Sequence, residues 1–407
     1  MKRLRDPRWA LILMFLGIIA SVPLTQTIIE LREDRGIRAF EIFSQVPTST
    51  NLRNYERSLE TACWAARWSR PWIQFAQFQW LKDGGEKVVV GRDGWYFYKP
   101  GLKNMLARPD RFTAANPGED PLPAILDFRD QLAARGIQLV VMPVPNKDSL
   151  YPDRLTARAK SLRGVLAPRT QDLLERLRAA HVECIDLFHE FAEARQQRCA
   201  WPEVPLYLAQ DTHWSPLGVS IAAKAAARRL QELGWAHPRQ VRYREQPAPV
   251  DRLGDIIRML QAPLIERGLT PERVACAQVV RTDNGELYKD AKDAEILILG
   301  DSFMRIYQQD EPRGAGFIAH LAKELSQPVM ALVNDGGGST LVRQELHARP
   351  LFLKNKKVVL WEFVERDIGL GIEGWKRVAL GPVPGPARQN TGVAKGARPV
   401  SAAERMN

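Results

Sequence analysis

The chain is poor in cysteine, with four in 407 residues, and it has no Cys-x-x-Cys pair. A disulfide-stapled scaffold, a zinc ribbon and a thioredoxin-like redox motif are thereby excluded. There is no His-Glu-x-x-His segment and no Asp/His cluster beyond one, so no metal is expected. There is no P-loop, and no glycine-rich loop is expected to hold a nucleotide cofactor. A composition of 45% hydrophobic and 26% charged residues excludes a mainly disordered chain and a polytopic membrane protein. The net charge of +11 raises nucleic acid as a partner, but its placement argues against one. Residues 1–8 and residues 381–407 each carry +3, leaving an ordinary +5 for the body. No Lys/Arg block with interleaved aromatics occurs there, so no nucleic acid partner is expected.

What the chain does have begins at its N-terminus. Trp9–Ile29 is uncharged and strongly apolar, and it follows Lys2, Arg3, Arg5 and Arg8. As a helix it would rise about 30 Å, enough to cross a bilayer core. The basic tip would stay cytoplasmic and residues 30–407 would lie outside. A cleaved signal peptide ending near Ala20–Pro23 is the competing reading; the missing Ala-x-Ala site favours an uncleaved anchor. In an oxidising compartment Cys184 and Cys199 are close enough in sequence to pair, though four buried thiols are preferred.

The chain divides into a tip and anchor at 1–29, a helical lead-in at 30–84, a catalytic domain at 85–380 and a disordered tail at 381–407. In the lead-in, Trp64, Trp68, Trp72, Phe75 and Phe78 recur at helical steps and read as core packing. Residues 87–98 read as a hairpin turning at Asp93-Gly94. Helices are then predicted at 121–135, 168–180, 215–233, 313–326 and 339–348. Strands are predicted at Ile137–Val144, Val182–Leu187, Glu295–Leu299, Val329–Val333 and Lys357–Val364. This alternation predicts an α/β fold with a mostly parallel sheet covered by helices. Residues 235–293 read as an irregular insertion with a short helix near 251–261.

Two segments carry chemistry. Residues 295–302, Glu-Ile-Leu-Ile-Leu-Gly-Asp-Ser, place Ser302 at the carboxyl end of a buried strand, where open α/β sheets bind ligands. Asp211-Thr212-His213-Trp214 precedes a well-capped helix. Serine needs a base to become a nucleophile, and the base needs an orienting carboxylate. His213 and Asp211 supply that pair if their loop reaches Ser302.

A Gly-Asp-Ser nucleophile with an Asp-x-His pair resembles the SGNH hydrolase superfamily, whose fold is flavodoxin-like. Here the Asp/His block precedes the serine block by 89 residues, a permuted order. The permuted order resembles the alginate O-acetyltransferase family, AlgJ and AlgX. Four further segments carry the likeness: Gly91–Phe97, Pro143–Pro152, Pro205–Gly218 and Trp361–Arg366. Two departures leave the polymer open: Asp301 precedes the serine, and no carbohydrate-binding module follows.

The resemblance implies a periplasmic domain, anchored in the inner membrane, that acetylates an exported polysaccharide. Acetyl would reach it from a membrane-bound O-acyltransferase partner. An O-acetyl esterase with the same three residues is the alternative. The likeness further implies a second oxyanion donor, matched best by Gly338, with Gly337 as the alternative. Asn334 is a candidate for the missing asparagine of the third SGNH block. Arg366, Trp361 and Tyr307 are candidate substrate contacts: an arginine for polar sugar groups, the rings for sugar faces. Asn146 and Lys147 follow a strand on the same face, as structural residues or part of the cleft.

Overall fold

In the computed structural model the described residues are 7–381, apart from 35, 45, 107–119, 163, 198–203, 238–240 and 371–372. The tip before Pro7, the tail after Gly381 and Cys199 lie outside them, so neither the disordered tail nor a Cys184–Cys199 pair is described. Cys276 is buried, whereas Cys63 and Cys184 are only half-buried, against the expectation of four buried thiols.

Among the described residues, five parallel strands form the central sheet: β1 (Gln138–Val144), β2 (Glu183–Cys184), β3 (Ile296–Gly300), β4 (Met330–Val333) and β5 (Val358–Val364). Their order across the sheet is β4-β3-β5-β1-β2. The chain leaves β1 towards one edge and β3 towards the other. The resulting switch point lies at the carboxyl ends of β3, β5 and β1, where such sheets place ligands.

Alternating residues serve the two faces, as a sheet covered on both sides requires. Val140, Met142, Ile298 and Leu360 pack under the Pro216–Glu232 and Phe317–Leu325 helices. Leu139, Val141, Leu299 and Val359 pack against Ile125 and Phe128 of Pro121–Ala133 and Val342 of Leu341–Ala348. Fully burying such a side chain contributes about 1.5–3 kcal/mol relative to leaving it exposed.

The hairpin forms as predicted, with Val88–Val90 antiparallel to Tyr96–Tyr98 and positive φ at Asp93 and Gly94. The insertion is not irregular. Tyr243–Pro247 pairs with Ala277–Arg281, Val250–Arg252 pairs with Glu272–Val274, and a short helix runs Asp255–Met259. Arg252, Asp255 and Glu272 of this insertion turn inward against the 208–213 loop, while Arg244, Glu245, Asp251 and Arg273 stay exposed, and charged residues on both faces hid the strand periodicity.

Pro7–Arg32 is one helix, and its Arg8–Arg32 stretch is long and apolar enough to cross a membrane: its most apolar 18 residues have mean hydropathy 2.0 and none of them is buried. The aromatic lead-in stripe is a correction. Phe78 is buried, but Trp68 and Trp72 project from the Trp64–Ala76 helix into open space.

Candidate active site

Strand β3 ends at Gly300, and the chain turns at once into a short helical segment, Ser302–Arg305. A Cβ at Gly300 would sit 2.3 Å from Met304 Cγ and 2.6 Å from Glu362 Oε2, so only glycine fits this turn. Asp301 is fully buried and caps the segment: its Oδ1 accepts the Phe303 N–H at 2.8 Å. The Asp301 N–H donates to Glu362 Oε2 at 2.9 Å. Ser302 is left at the surface of the turn, half-buried.

His213 reaches Ser302 from the loop before the Pro216–Glu232 helix. Ser215 N-caps that helix by accepting the Gly218 N–H at 3.3 Å, which fixes where the loop ends. His213 Nε2 lies 2.8 Å from Ser302 Oγ, and Nδ1 lies 2.6 Å from Asp211 Oδ1. An ionised carboxylate only accepts, so Asp211 holds the proton on Nδ1 and leaves Nε2 to accept from the serine hydroxyl. The ring packs on Phe303 with centroids 4.8 Å apart.

Asp211 is itself held from its other side. Its Oδ2 accepts Arg252 Nε–H at 2.9 Å and the Asp255 N–H at 3.2 Å. Burial pushes this carboxyl up, but the charges of His213 and Arg252 and the His213 hydrogen bond outweigh it and hold it well below the usual range. For His213, burial favours the neutral ring, yet Asp211 and Asp255 prevail and raise its pKa above the ordinary 6.5. Asp255 accepts the Thr212 N–H at 2.7 Å and the Thr212 hydroxyl at 2.5 Å. Burial and the Asp211 charge push its own carboxyl up.

The backbone of the loop is clamped from both sides. Lys147, fully enclosed, donates through Nζ to the carbonyls of Leu208 (3.0 Å), Ala209 (3.1 Å) and Asp211 (2.7 Å). Glu272 accepts the N–H groups of Ala209 (2.9 Å) and Gln210 (2.7 Å). Tyr96 of the hairpin donates its N–H to the Ala209 carbonyl at 2.8 Å.

Asp211, His213 and Asp255 each offer one ligand atom within 4.8 Å of the others. Their lone pairs are already committed to His213, Arg252 and Thr212, so a cation there would have to displace Arg252. Gly369, Gly371 and Gly374 carry a Gly-x-Gly-x-x-Gly spacing. Its first glycine lies inside the four-residue helix Asp367–Leu370, and among the described residues no helix opens after it, so it offers no phosphate cradle.

The remaining candidates separate. Gly338 stands beside the serine turn, since a Cβ there would lie 3.4 Å from Asp301 Oδ2. Neither its N–H nor that of Ser302 donates to a protein acceptor among the described residues. Arg366 is half-buried at the end of β5, its guanidinium 5.6 Å from the Tyr98 ring and 6.0 Å from that of Phe303.

Three expectations are corrected. Trp361 is fully buried among Phe128, Phe363 and Trp375, and its indole N–H donates to the Gly338 carbonyl at 2.7 Å. It holds the glycine loop and meets no sugar. Tyr307 is fully buried too, its hydroxyl donating to the Trp214 carbonyl at 3.2 Å. Asn334 spends its amide on the helix that follows its loop, donating to Glu345 Oε2 at 3.0 Å.

Sequence reasoning missed Arg252, Asp255 and Glu272 altogether, and left Lys147 undecided. The carboxyl end of β5, Trp361–Arg366, holds no asparagine. Instead Glu362 and Glu365 accept backbone N–H groups, the latter from Asn146 at 2.7 Å. Burial pushes the Glu365 carboxyl up to about 8 and that of Glu362 well above its usual range.

The sequence model of the SGNH hydrolase-like domain of the acetyltransferase AlgX matches residues 88–365. The chain belongs to this AlgX family. A relative named probable alginate O-acetylase AlgJ, from Pseudomonas fluorescens, is 28% identical over 327 residues, covering 78% of this chain and 75% of the relative. The Pseudomonas aeruginosa protein of the same name is 27% identical over 336 residues, covering 76% and 75%. Among solved structures, the O-acetyltransferase domain of Pseudomonas putida AlgJ superposes with TM-score 0.55 at 22% identity, over 70% of this chain and 92% of that one. Its likeness shows the fold. The AlgX-family match spans the hairpin, the Asp211–His213 loop and the serine turn together.

Proposed function

We propose that the protein is an O-acetyltransferase that carries acetyl on Ser302 and delivers it to hydroxyls of an exported polysaccharide. The observation that carries this reading is His213 bridging Asp211 and Ser302 at 2.6 and 2.8 Å. The AlgJ relatives, named as probable alginate O-acetylases, support the substrate class.

In the first half, His213 Nε2 takes the Ser302 proton as Oγ attacks the donor's acyl carbonyl. Charge develops on the carbonyl oxygen, and the Ser302 and Gly338 N–H groups are the donors assigned to it. The tetrahedral intermediate collapses, the donor's leaving oxygen takes the proton from His213, and acetyl-Ser302 remains. In the second half, His213 takes the proton of a sugar hydroxyl, which attacks acetyl-Ser302. Collapse releases the sugar ester and returns the proton to Ser302. Transfer outruns hydrolysis when the sugar hydroxyl is held about 3–3.5 Å from the acyl carbon. Arg366 is placed to hold polar groups of that sugar.

The apolar N-terminal helix supports a single-pass anchor in the inner membrane, with the domain in the periplasm. The donor is then an acetyl group relayed across the bilayer by a membrane-bound O-acyltransferase.

The test is mass spectrometry of the polysaccharide made by cells with the natural protein or Ser302→Ala. Acetyl esters should be present in the first and absent in the second. If the polymer instead gains acetyl when Ser302 is lost, the protein removes acetyl and the esterase reading replaces this one.

A pH dependence follows from the site. The base works only when Nε2 is unprotonated, and His213 binds its proton more tightly than a free imidazole. Hydrolysis of a chromogenic acetate should therefore be low in acid and rise through a midpoint above 6.5. Asp211→Asn removes the charge that raises His213, so the midpoint should move down while the plateau falls by roughly 10⁴-fold. An unchanged midpoint in that variant would refute the assignment of base and orienting carboxylate.

A further inference from the structure

We infer that the lead-in segment Trp64–Leu81 docks on the outer-leaflet lipid of the membrane that the N-terminal helix crosses. The inference rests on reading Arg8–Arg32 as a membrane span. Its starting point is a helix whose aromatic side chains are turned away from the protein. Trp68 is 69% exposed and Trp72 58%, and the following turn leaves Trp80 81% and Leu81 72% exposed. Trp68, Trp72 and Phe75 stand at i, i+4 and i+7, so they share one side of the helix. An apolar stripe of this size on a water-facing helix marks an interaction surface.

Continuity with the apolar N-terminal helix decides the occupant. The Trp64 N–H donates to the Gln26 side chain at 2.9 Å, and its indole N–H points at the Val22 carbonyl at 3.4 Å. Glu30 closes the junction by accepting from Gln26 at 2.8 Å and from the Arg38 N–H at 3.0 Å. Gln26 lies three residues, about 4.5 Å of helix rise, before Ile29, where the uncharged run ends. The tryptophan helix thus starts at the depth of the headgroup layer. Tryptophan is enriched at that depth because its ring is apolar and its N–H stays wet. The exposed Arg67 beside the stripe suits anionic headgroups.

The other side of the segment is fixed to the catalytic domain. Phe78 is buried with Val88, Tyr96, Ile256 and Ile257, and stacks on Tyr96 with centroids 6.2 Å apart. Tyr96 in turn braces the His213 loop through the Ala209 carbonyl. Docking would therefore set the orientation of the active site relative to the bilayer, from which an acetyl group would arrive.

The test uses the full chain in vesicles of phosphatidylethanolamine and phosphatidylglycerol. Nitroxide labels are placed singly at Trp72→Cys and Trp80→Cys, with Cys63, Cys184, Cys199 and Cys276 changed to serine. Collisions with oxygen, which concentrates in lipid, are compared with collisions with a nickel chelate, which stays in water. Labels at Leu16→Cys and Leu351→Cys give the lipid and water references; Leu351 is 61% exposed on the catalytic domain. Chromogenic acetate hydrolysis reports that each variant is folded. The oxygen-to-nickel ratio at 72 and 80 should be several-fold above that at 351. Ratios equal to that at 351, with position 16 still in lipid, overturn the docking and leave the anchor standing. Low collision rates with both reagents mean contact with protein, a second copy, and also overturn it. A water-like ratio at position 16 removes the anchor and the docking together.

Discussion

Ser302→Ala is expected to lower hydrolysis of an activated acetate by at least roughly 10³-fold, and His213→Ala by a similar factor. The double variant should lose little beyond either single one. The reason is geometric: the two side chains meet at 2.8 Å and form one device, so removing either disables both. Stability should hardly change in Ser302→Ala. Among the described residues the only hydrogen-bond partner of its hydroxyl is His213, and the serine is half-buried rather than enclosed. Steady-state kinetics with thermal unfolding on the same samples checks both statements. Multiplying losses in the double variant would show that serine and histidine act independently, and the acyl-enzyme reading would fall.

The features that could be read along the chain are those with local signals. A buried apolar run into Gly300-Asp301-Ser302 needs no partner to be recognised as a strand ending in a tight turn. Ser215-Pro216 announces a helix start, which places His213 on the loop before it. The alternation of such runs with amphipathic stretches gives the parallel sheet, because each element carries its own period.

What supports the site has no local signal. Arg252, Asp255 and Glu272 reach the Asp211 loop from 41 to 63 residues away, the first and last out of short paired strands whose side chains are mostly charged and Asp255 from the start of a short helix. A charged residue in such a stretch reads as solvated until the fold turns it inward. Aromatics mislead for the converse reason. Trp361 lies on a strand buried on both faces, and Trp72 on a helix turned outward, yet in sequence each is a tryptophan in an apolar setting. Burial decides between core and contact, and burial is a property of the assembled chain.

Lys147→Met is expected to lower the turnover number for an activated acetate by roughly 10²-fold with little change in KM. Lys147 touches no reacting atom. It positions the loop by donating to three carbonyls at 2.7–3.1 Å, with Nζ 5.6 Å from the Trp95 ring and 5.3 Å from that of Phe97. Methionine fills the stem and leaves the three acceptors orphaned, each at a cost of about 1–3 kcal/mol. Part of this is offset because no ammonium need be buried. A net loss of a few kcal/mol should lower Tm by roughly 5–10 °C. A second readout separates the ammonium from mere packing. Burial pushes the Lys147 pKa down to about 8, despite the opposing charges of Asp211, Asp255, Glu272 and Asp148. Between pH 8 and the ordinary lysine value of about 10.4 the unfolded chain binds the extra proton, so Lys147 makes stability rise with pH across that window. The methionine variant lacks this rise, and its stability deficit should widen from pH 8 to pH 10. A deficit that stays constant with pH would show that burial does not penalise the ammonium, and full turnover in the variant would show that Lys147 does not hold the His213 loop.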